Sequence, residues 1–398
     1  MATKQRLLLT TSFILVILLP LVSLAQQVAI SSATHGQSGK LADSSVPMSD
    51  RDKAGLRGPV QAYVEESLYN EFSSSTTTEY RRDGNLLSQR SVYHDGSEWL
   101  QTWTYDTTGR LTNYAFGKSG DKPGETTYEY DDSGRLLTIK NADSGEKTRF
   151  QYDERGRKIS IKTFNPDKSD DTRAVGIGVS ALAAAESGYG VPRGGRLTTL
   201  FDENDRPSEL QVHDANGSLV SRVVMIHGAG GQLLEEKSTM ENPALLLFGN
   251  HPEMQQQLNP SQLAAFNKGM TTLLRGQGLF GKQYSYDSAN RIREVHTKTF
   301  AVDQTITTAY NEEGDISETR EVSVMNPALQ AGRIFSIDDN GNLVPKNDDD
   351  APVAAPEPSR ESTVKYVYKY DGNKNWTKQT AIRPDSPPTV RLRTITYY

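Results

Sequence analysis

The sequence predicts an all-β fold, an array of antiparallel β-hairpins forming a long twisted or curved sheet, with a short helical insertion. Three observations carry this. One phrase recurs in succession, as "WTYDTTGRLTNY", "YEYDDSGRLLTIK" and "FQYDERGRKISI". A catalytic site is normally written once, whereas a structural repeat is written many times because each copy supports its neighbours. Hydrophobic residues make up only 35% of the 398 and mean hydropathy is −0.61, so much of any sheet must face water. The chain also has no cysteine, which removes disulfides, thiolate metal sites and a thiol nucleophile. Packing and hydrogen bonds alone must stabilise it.

The elements follow in order. "MATKQRLLLTTSFILVILLPLVSLAQQ" has Lys4 and Arg6 before an apolar run from Leu7 to Leu19, then the small residues Ser23 and Ala25. That is the layout of a cleavable secretory signal over residues 1–25, cut after Ala25. Its apolar run is shorter than the roughly 20 residues a spanning helix needs, so no stable membrane span is expected after cleavage. Residues 26–55 are rich in Ser, Gly and Asp without periodicity and read as a disordered tether. Hairpins are expected over 56–165. A Gly/Ala-rich insert spans 166–196, a tight meander 197–241, and a helical insert 242–281. In the last, Asn259 caps and Pro260 suits the first turn, while Leu263, Phe266, Met270 and Leu274 share a face. Further hairpins cover 282–345, an acidic Pro-rich linker 346–362, and a last hairpin with a C-terminal strand 363–398.

Aligned on its glycine, the phrase has four slots. An aromatic stands four before: Tyr80, Tyr105, Tyr130, Tyr152, Phe201, Tyr286, Tyr310, Tyr370. An acid follows it, as at Asp106, Asp131, Asp153, Asp202, Asp287 and Asp371. The glycine slot holds Gly84, Gly109, Gly134, Gly156, Gly217, Gly231, Gly314 and Gly341, with Asn290 and Asp205 as variants. Arg110, Arg135 and Arg157 come directly after it, and an apolar residue such as Leu111, Leu136 or Ile292 comes next. Aspartate bonds the backbone two residues ahead and starts a turn. Glycine takes the positive φ that closes a type I turn with a bulge. Each copy is therefore one hairpin, and eleven can be laid down.

The pattern resembles the YD repeat of the RHS family, the tyrosine-aspartate hairpins of bacterial RHS proteins, toxin shells and animal teneurins. The resemblance covers roughly residues 57–398, with two interruptions. It implies a strip that curves or spirals and closes into a hollow shell in large members. It also implies extracellular or surface roles, including carbohydrate contact and toxin encapsulation. This chain departs from the toxin members: "RLRTITYY" is an alternating strand with no toxin domain or self-cleavage junction behind it. The strip also reads as too short for a closed cocoon, so cargo encapsulation is not expected.

Charge and motifs narrow the chemistry. The net charge is −6, and removing Lys4 and Arg6 leaves 42 basic against 50 acidic residues. With no long basic run, a nucleic-acid partner is not expected. "GIGVSA" at 176–181 has the spacing of a dinucleotide loop but lacks the surrounding βαβ unit. The six histidines form no metal-ligand spacing, and His213 and His227 are explained by the aromatic slot. No cofactor, no metal and no catalytic set is assigned. The candidate ligand-binding residues are Trp99 and Trp103, which share strand parity with Tyr105 and so one face. They stack against sugar rings if that face is open and are core if it is closed. The sequence thus reads as a secreted or periplasmic, non-enzymatic binding or scaffold surface of the bacterial cell envelope, with a glycan or an envelope protein as partner. A hydrolase built on the inserts and an accessory or remnant toxin shell are the alternatives.

Overall fold

The computed structural model describes residues 48–69, 72–164, 195–241, 281–298, 302–325 and 359–398, with short pieces at 259–261, 263–264, 268, 335–337 and 343–345. A one-turn helix, α1 (Asp50–Lys53), precedes β1 (Val60–Tyr69), β2 (Phe72–Tyr80) and β3 (Leu86–Tyr93). The first block continues with β4 (Glu98–Tyr105), β5 (Leu111–Lys118), β6 (Gly124–Tyr130), β7 (Leu136–Asn141), β8 (Lys147–Tyr152) and β9 (Lys158–Phe164). After the first insert come β10 (Arg196–Phe201), β11 (Pro207–His213), β12 (Leu219–His227) and β13 (Leu233–Met240). Beyond the second are β14 (Gly281–Tyr286), β15 (Ile292–Lys298), β16 (Val302–Tyr310) and β17 (Ile316–Met325). A separate hairpin, β18 (Phe335–Ile337) with β19 (Leu343–Pro345), precedes β20 (Arg360–Tyr370), β21 (Trp376–Arg383) and β22 (Ser386–Tyr397).

Twenty strands form one antiparallel sheet, and each pairs with its neighbour in the chain. Where β18 and β19 intervene, β17 pairs with β20. The expected strip is closed: β22 pairs with β1 from Val60 opposite Tyr397 to Leu68 opposite Val390. Closure removes the two open edges that a strip of this length would expose. The C-terminal alternation "RLRTITYY" is thus the closing strand, and the Tyr398 N–H extends the seam by donating to the Pro59 carbonyl at 3.0 Å.

Because the strands alternate in direction, the turns fall at two rims. Nine five-residue turns stand at one rim, from 81–85 to 371–375, each with the same pair of backbone hydrogen bonds. The three long inserts leave from the other rim. So does the 214–218 turn, which separates Gly217 from the main row, as a 12-residue spacing requires. Gly341 comes between β18 and β19 in the chain and lies outside the described residues.

The face that carries the repeat tyrosines holds the larger core. Phe150, Ile161, Leu197, Leu210, Val212 and Met225 are buried on it across β8 to β12, and Ile161 is 0% exposed. A second cluster, Leu56, Val60 and Tyr80, sits beside the seam. The opposite face is charged and laced with cross-strand ion pairs, including Arg90–Glu98, Lys140–Glu129, Arg320–Glu361 and Arg222–Glu209. Charges also occur mid-strand on the repeat face, at Glu65, Glu236 and Arg393. A Lys or Arg facing lipid at mid-bilayer costs about 2–4 kcal/mol, so neither face, among the described residues, has the apolar band of a lipid-spanning barrel.

The expected tether over 26–55 is corrected at its end, and its remainder lies outside the described residues. Residues 48–55 are ordered by a capping box in which Ser49 and Asp52 bond each other's backbone N–H. The helix docks on the β2–β3 turn, where Arg51 N donates to Gly84 O at 2.9 Å. Farther along, Arg57 N donates to Asn375 Oδ1 at 2.7 Å, so this segment also clasps the β20–β21 turn. The last hairpin starts earlier than expected, at Arg360 rather than 363, because Arg360–Lys365 pair along β17. Of the expected helix over 260–274, the first bond is in place, Leu263 N to Asn259 O at 3.0 Å. Most of that segment, the signal over 1–25 and the 176–181 loop lie outside the described residues.

Candidate functional site

The recurring turn is the unit from which both faces are built. In the copy at 106–110, Asp106 Oδ1 accepts from the Thr108 and Arg110 N–H groups, both at 2.9 Å, and Oδ2 accepts from Arg110 Nε at 2.7 Å. The same three partners recur at Asp131 with Ser133 and Arg135 and at Asp153 with Arg155 and Arg157. They recur again at Asp287 with Ala289 and Arg291. The fourth position is left-handed in every described copy, at φ +85° for Gly109, +80° for Gly134 and +77° for Gly156. Asp205, Asn290 and Lys374 adopt it at 59–63° without being glycine. The slot is therefore a backbone requirement, and glycine is its cheapest occupant.

The turns are tied sideways by two contacts. Five tyrosine hydroxyls donate to the carbonyl of the apolar residue in the preceding copy, Tyr105 to Leu86, Tyr130 to Leu111, Tyr152 to Leu136, Tyr286 to Leu233 and Tyr310 to Ile292, at 2.7–2.9 Å. In the last hairpin, by contrast, Tyr368 makes this bond to Ile316 and Tyr370 donates to Asp315 Oδ2. The preceding arginine lies over the same tyrosine's ring, as Arg81 over Tyr105 at 4.6 Å, Arg110 over Tyr130 and Arg135 over Tyr152 at 5.1 Å, and Arg291 over Tyr310 at 4.3 Å. Arginine, bound to aspartate in its own turn and stacked on the next, is the link between copies. Burial, with the charge of Asp50 second, pushes the Tyr105 phenol up to about 12, so these hydroxyls remain donors.

Two predictions test the turn. Gly134→Val places a β-branched side chain at φ +80° and should cost about 1–3 kcal/mol. Gly120, outside the motif, is not a neutral comparison because it too is left-handed, at φ +91°. Gly372, with open space around it and no positive φ, is the proper one. Equal losses for Gly134→Val and Gly372→Val in urea melts would overturn this account. The second prediction concerns acid. Hydrogen bonds from the Thr108 side chain and the Arg110 backbone hold the Asp106 carboxyl well below its ordinary range. The Arg135 backbone does the same for Asp131, and the Arg206 backbone for Asp202. A lowered folded-state value stabilises fully above about pH 4, near the unfolded value, and is lost as pH falls through the folded one. The urea midpoint should therefore fall between pH 7 and pH 3, less steeply in Asp131→Asn; an unchanged midpoint rejects the assignment.

Trp99 and Trp103 lie on the repeat face with Tyr105, as their parity requires, and both are half-buried. Trp99 stacks on Phe116, with ring centres 5.1 Å apart and planes 19° apart. Phe116 is 42% exposed and Tyr93, near Trp99 on β3, is 46% exposed. Trp103 packs at a tilt on Tyr114, 5.3 Å away. Between the two aromatic pairs runs a ladder of side-chain hydrogen bonds. The Tyr114 hydroxyl donates to Gln101 Oε1 at 2.9 Å, Gln101 Nε2 to Gln89 Oε1 at 2.9 Å, and Gln89 Nε2 to Thr78 Oγ1 at 3.2 Å. The surface thus offers one open aromatic pair beside an amide ladder.

Sequence reasoning did not find the seam. Glu65 Oε1 accepts from Arg391 Nε and its Oε2 from Arg393 Nε, each at 2.9 Å. Arg393 lies 3.6 Å from the Trp376 ring centre and 4.7 Å from that of Tyr63. Tyr398 donates to Tyr80 O at 2.5 Å under Arg82, repeating the tyrosine–arginine link across the joint. The doubled arginine of "RLR" in a strand otherwise uncharged was the one available signal.

Comparison with known proteins bears on the repeat. Residues 130–167 match the model of the RHS Repeat family. A search of the curated proteins returns no match. Among solved structures, the crystal structure of TcdB2-TccC3-Cdc42 aligns at 12% identity over 79% of this chain and 16% of that one, with a TM-score of 0.27. The Photorhabdus luminescens Tc holotoxin pore carrying the TccC3 D651A mutation aligns at 13% identity, 80% and 16% coverage and 0.28. A porin-like protein from Bacteroides uniformis aligns at 10% identity, 85% and 99% coverage and 0.27. At such TM-scores none of the three fixes a fold or a role, and this chain spans about a sixth of the toxin chains. The matched segment begins at the Tyr130 turn, whose aspartate, glycine, arginine and tyrosine geometry recurs along the rim, so residues 130–167 match an RHS repeat and the other turns share its geometry.

Proposed function

We propose that this RHS-repeat barrel is a secreted, non-enzymatic binding or scaffold protein of the bacterial cell envelope, and that it takes a carbohydrate on the Trp99–Phe116 pair. The observation that carries the reading is the near-parallel stacking of these rings on an exposed part of the repeat face. Flat apolar ring faces beside side-chain amides suit a sugar, which offers C–H faces to the rings and hydroxyls to the Gln89–Gln101 ladder. The rigid sheet holds both components without an ordering cost at binding.

A glycan array probed with the full-length chain, with a denatured control, tests the reading. Trp99→Ala should lower the affinity for any bound glycan by about 1–3 kcal/mol, by analogy with aromatic stacking on bases, while the melt moves little. Trp103→Ala, which removes the partner of Tyr114, should lower the melt instead. No glycan bound above the denatured control, or full binding by Trp99→Ala, would reject the carbohydrate reading. Export is tested separately: N-terminal sequencing of exported protein should begin at Gln26, and Met1 retained in a membrane fraction would oppose it.

A further inference from the structure

On the charged face, cations are normally set against acids across the strands: Arg90 against Glu98, Lys140 against Glu129, Arg222 against Glu209, His296 against Asp303 and Arg320 against Glu361. Like charges also meet singly, as Lys140 opposite Lys147 and Lys369 opposite Lys378, but one row carries them over three strands in succession. Arg149 on β8 stands directly opposite Lys162 on β9, Lys162 opposite Arg196 on β10, and Arg196 opposite His213 on β11. Like charges directly opposite one another repel, and this row places three in succession in a chain whose net charge is −6. All three cations are exposed. Neither Lys162 nor Arg196 has an ion-pair partner among the described residues.

The row borders a cavity of about 740 Å³ that Arg149, Lys162, Arg196 and His213 line together. The 214–217 turn forms one wall, and its Asp214 is the one acid lining the cavity among the described residues. Asp214 Oδ1 is already taken by the N–H groups of Asn216 at 2.9 Å and Ser218 at 2.7 Å. The next rung is uncharged: Gln151, Ser160, Thr198 and Gln211 follow one another across the same strands. Two buried polar atoms in these rungs, Thr198 Oγ1 and His213 Nδ1, have no hydrogen-bond partner. Buried polar atoms are rarely left so. Burial, then the charge of Arg196, holds His213 below its ordinary range, so its ring is neutral beside the cations.

We infer that the Arg149–Lys162–Arg196 row is a binding site for a small, multiply charged oxyanion, a phosphate- or sulfate-bearing molecule whose charge is met chiefly by Lys162 and Arg196, with Arg149 beside them. The neutral rung, with hydroxyl and amide groups, meets the polar remainder of that molecule. Adjacent strands lie about 4.8 Å apart, so the outer cations are about 10 Å apart, the reach of a diphosphate or of a disaccharide sulfated at both ends. The cavity volume falls within the range of small-molecule sites. The site lies on the opposite face from Trp99 and is independent of the glycan reading.

The row has a signature that a structural role would not give. With no anion present, Lys162→Gln removes repulsion and should melt at or above the native temperature. Inorganic pyrophosphate and a trisulfated disaccharide are the probes, each titrated against sodium chloride at matched ionic strength, with the desulfated disaccharide as control. At least one charged probe should raise the melting temperature of the full-length native chain beyond the chloride effect. Its affinity should fall at least tenfold in Lys162→Gln and in Arg196→Gln and stay within twofold in Arg90→Gln, whose arginine is paired on the same face. Pyrophosphate acting alone assigns the site to phosphates, and the disaccharide acting alone to sulfated sugars. A response no larger than that of chloride, an equal response in Lys162→Gln, or a Lys162→Gln chain that melts well below the native one overturns the inference.

Discussion

Trp376→Ala is expected to lower the unfolding free energy by about 3–5 kcal/mol, the range for truncating a large aromatic in a packed interior. Trp376 is 8% exposed and fills the apolar slot of the last hairpin. Its ring lies under Arg393 at 3.6 Å and against Tyr368 at 6.4 Å. The loss therefore removes both apolar burial and the surface on which the seam arginine rests. Urea melts of the native chain and the variant measure it. Trp376→Phe should recover part of the loss, because the ring that faces Arg393 remains. A loss under about 1 kcal/mol would mean that the slot is not packed as described.

Glu65→Ala is the second large effect, at about 3 kcal/mol, because removing one partner of a buried pair leaves the other charge uncompensated. Glu65 holds both Arg391 and Arg393, and the Arg393 side chain is only 10% exposed. Without the carboxylate on β1, the two guanidinium groups of β22 remain side by side with no counter-charge across the joint. Adding Arg391→Ala to Glu65→Ala should then restore stability relative to Glu65→Ala alone. That sign reversal is a coupling a double-mutant cycle reads directly. Independent, additive losses would show that the carboxylate does not serve both arginines. Trp376 and Glu65 share Arg393, so their effects are not expected to add.

What the sequence revealed and what it concealed divide by distance along the chain. Turn chemistry is local: Asp131, Gly134 and Arg135 interact within five residues, and their types at those spacings suffice to read the hairpin. The capping box of Ser49 and Asp52 is equally local, and its S-x-x-D spacing distinguishes residues 48–55 from the tether. The link between copies was half legible. Arginine and tyrosine recur, but the acceptor of each tyrosine is a backbone carbonyl, which leaves no mark in the sequence. Ring closure was not legible. Glu65 and Arg391 are 326 residues apart, and each taken alone reads as an ordinary strand charge. The same holds for Lys162 and Arg196, which become neighbours only because β9 and β10 pair across an insert.

The β1–β22 joint also fixes when the fold can be completed. Nearly every other pairing in the barrel joins neighbouring strands, so hairpins can form soon after they leave the ribosome, on the microsecond scale of such units. The final pairing joins the first strand to the last, so the ring stays open until β22 has been made. Until then β1 and the newest strand each present an unpaired edge, a state open to association with other chains. Long-range pairing of this kind raises contact order and slows folding. A protein of otherwise local hairpins thus acquires one slow, all-or-none step, set by the span between its two ends rather than by the number of its repeats.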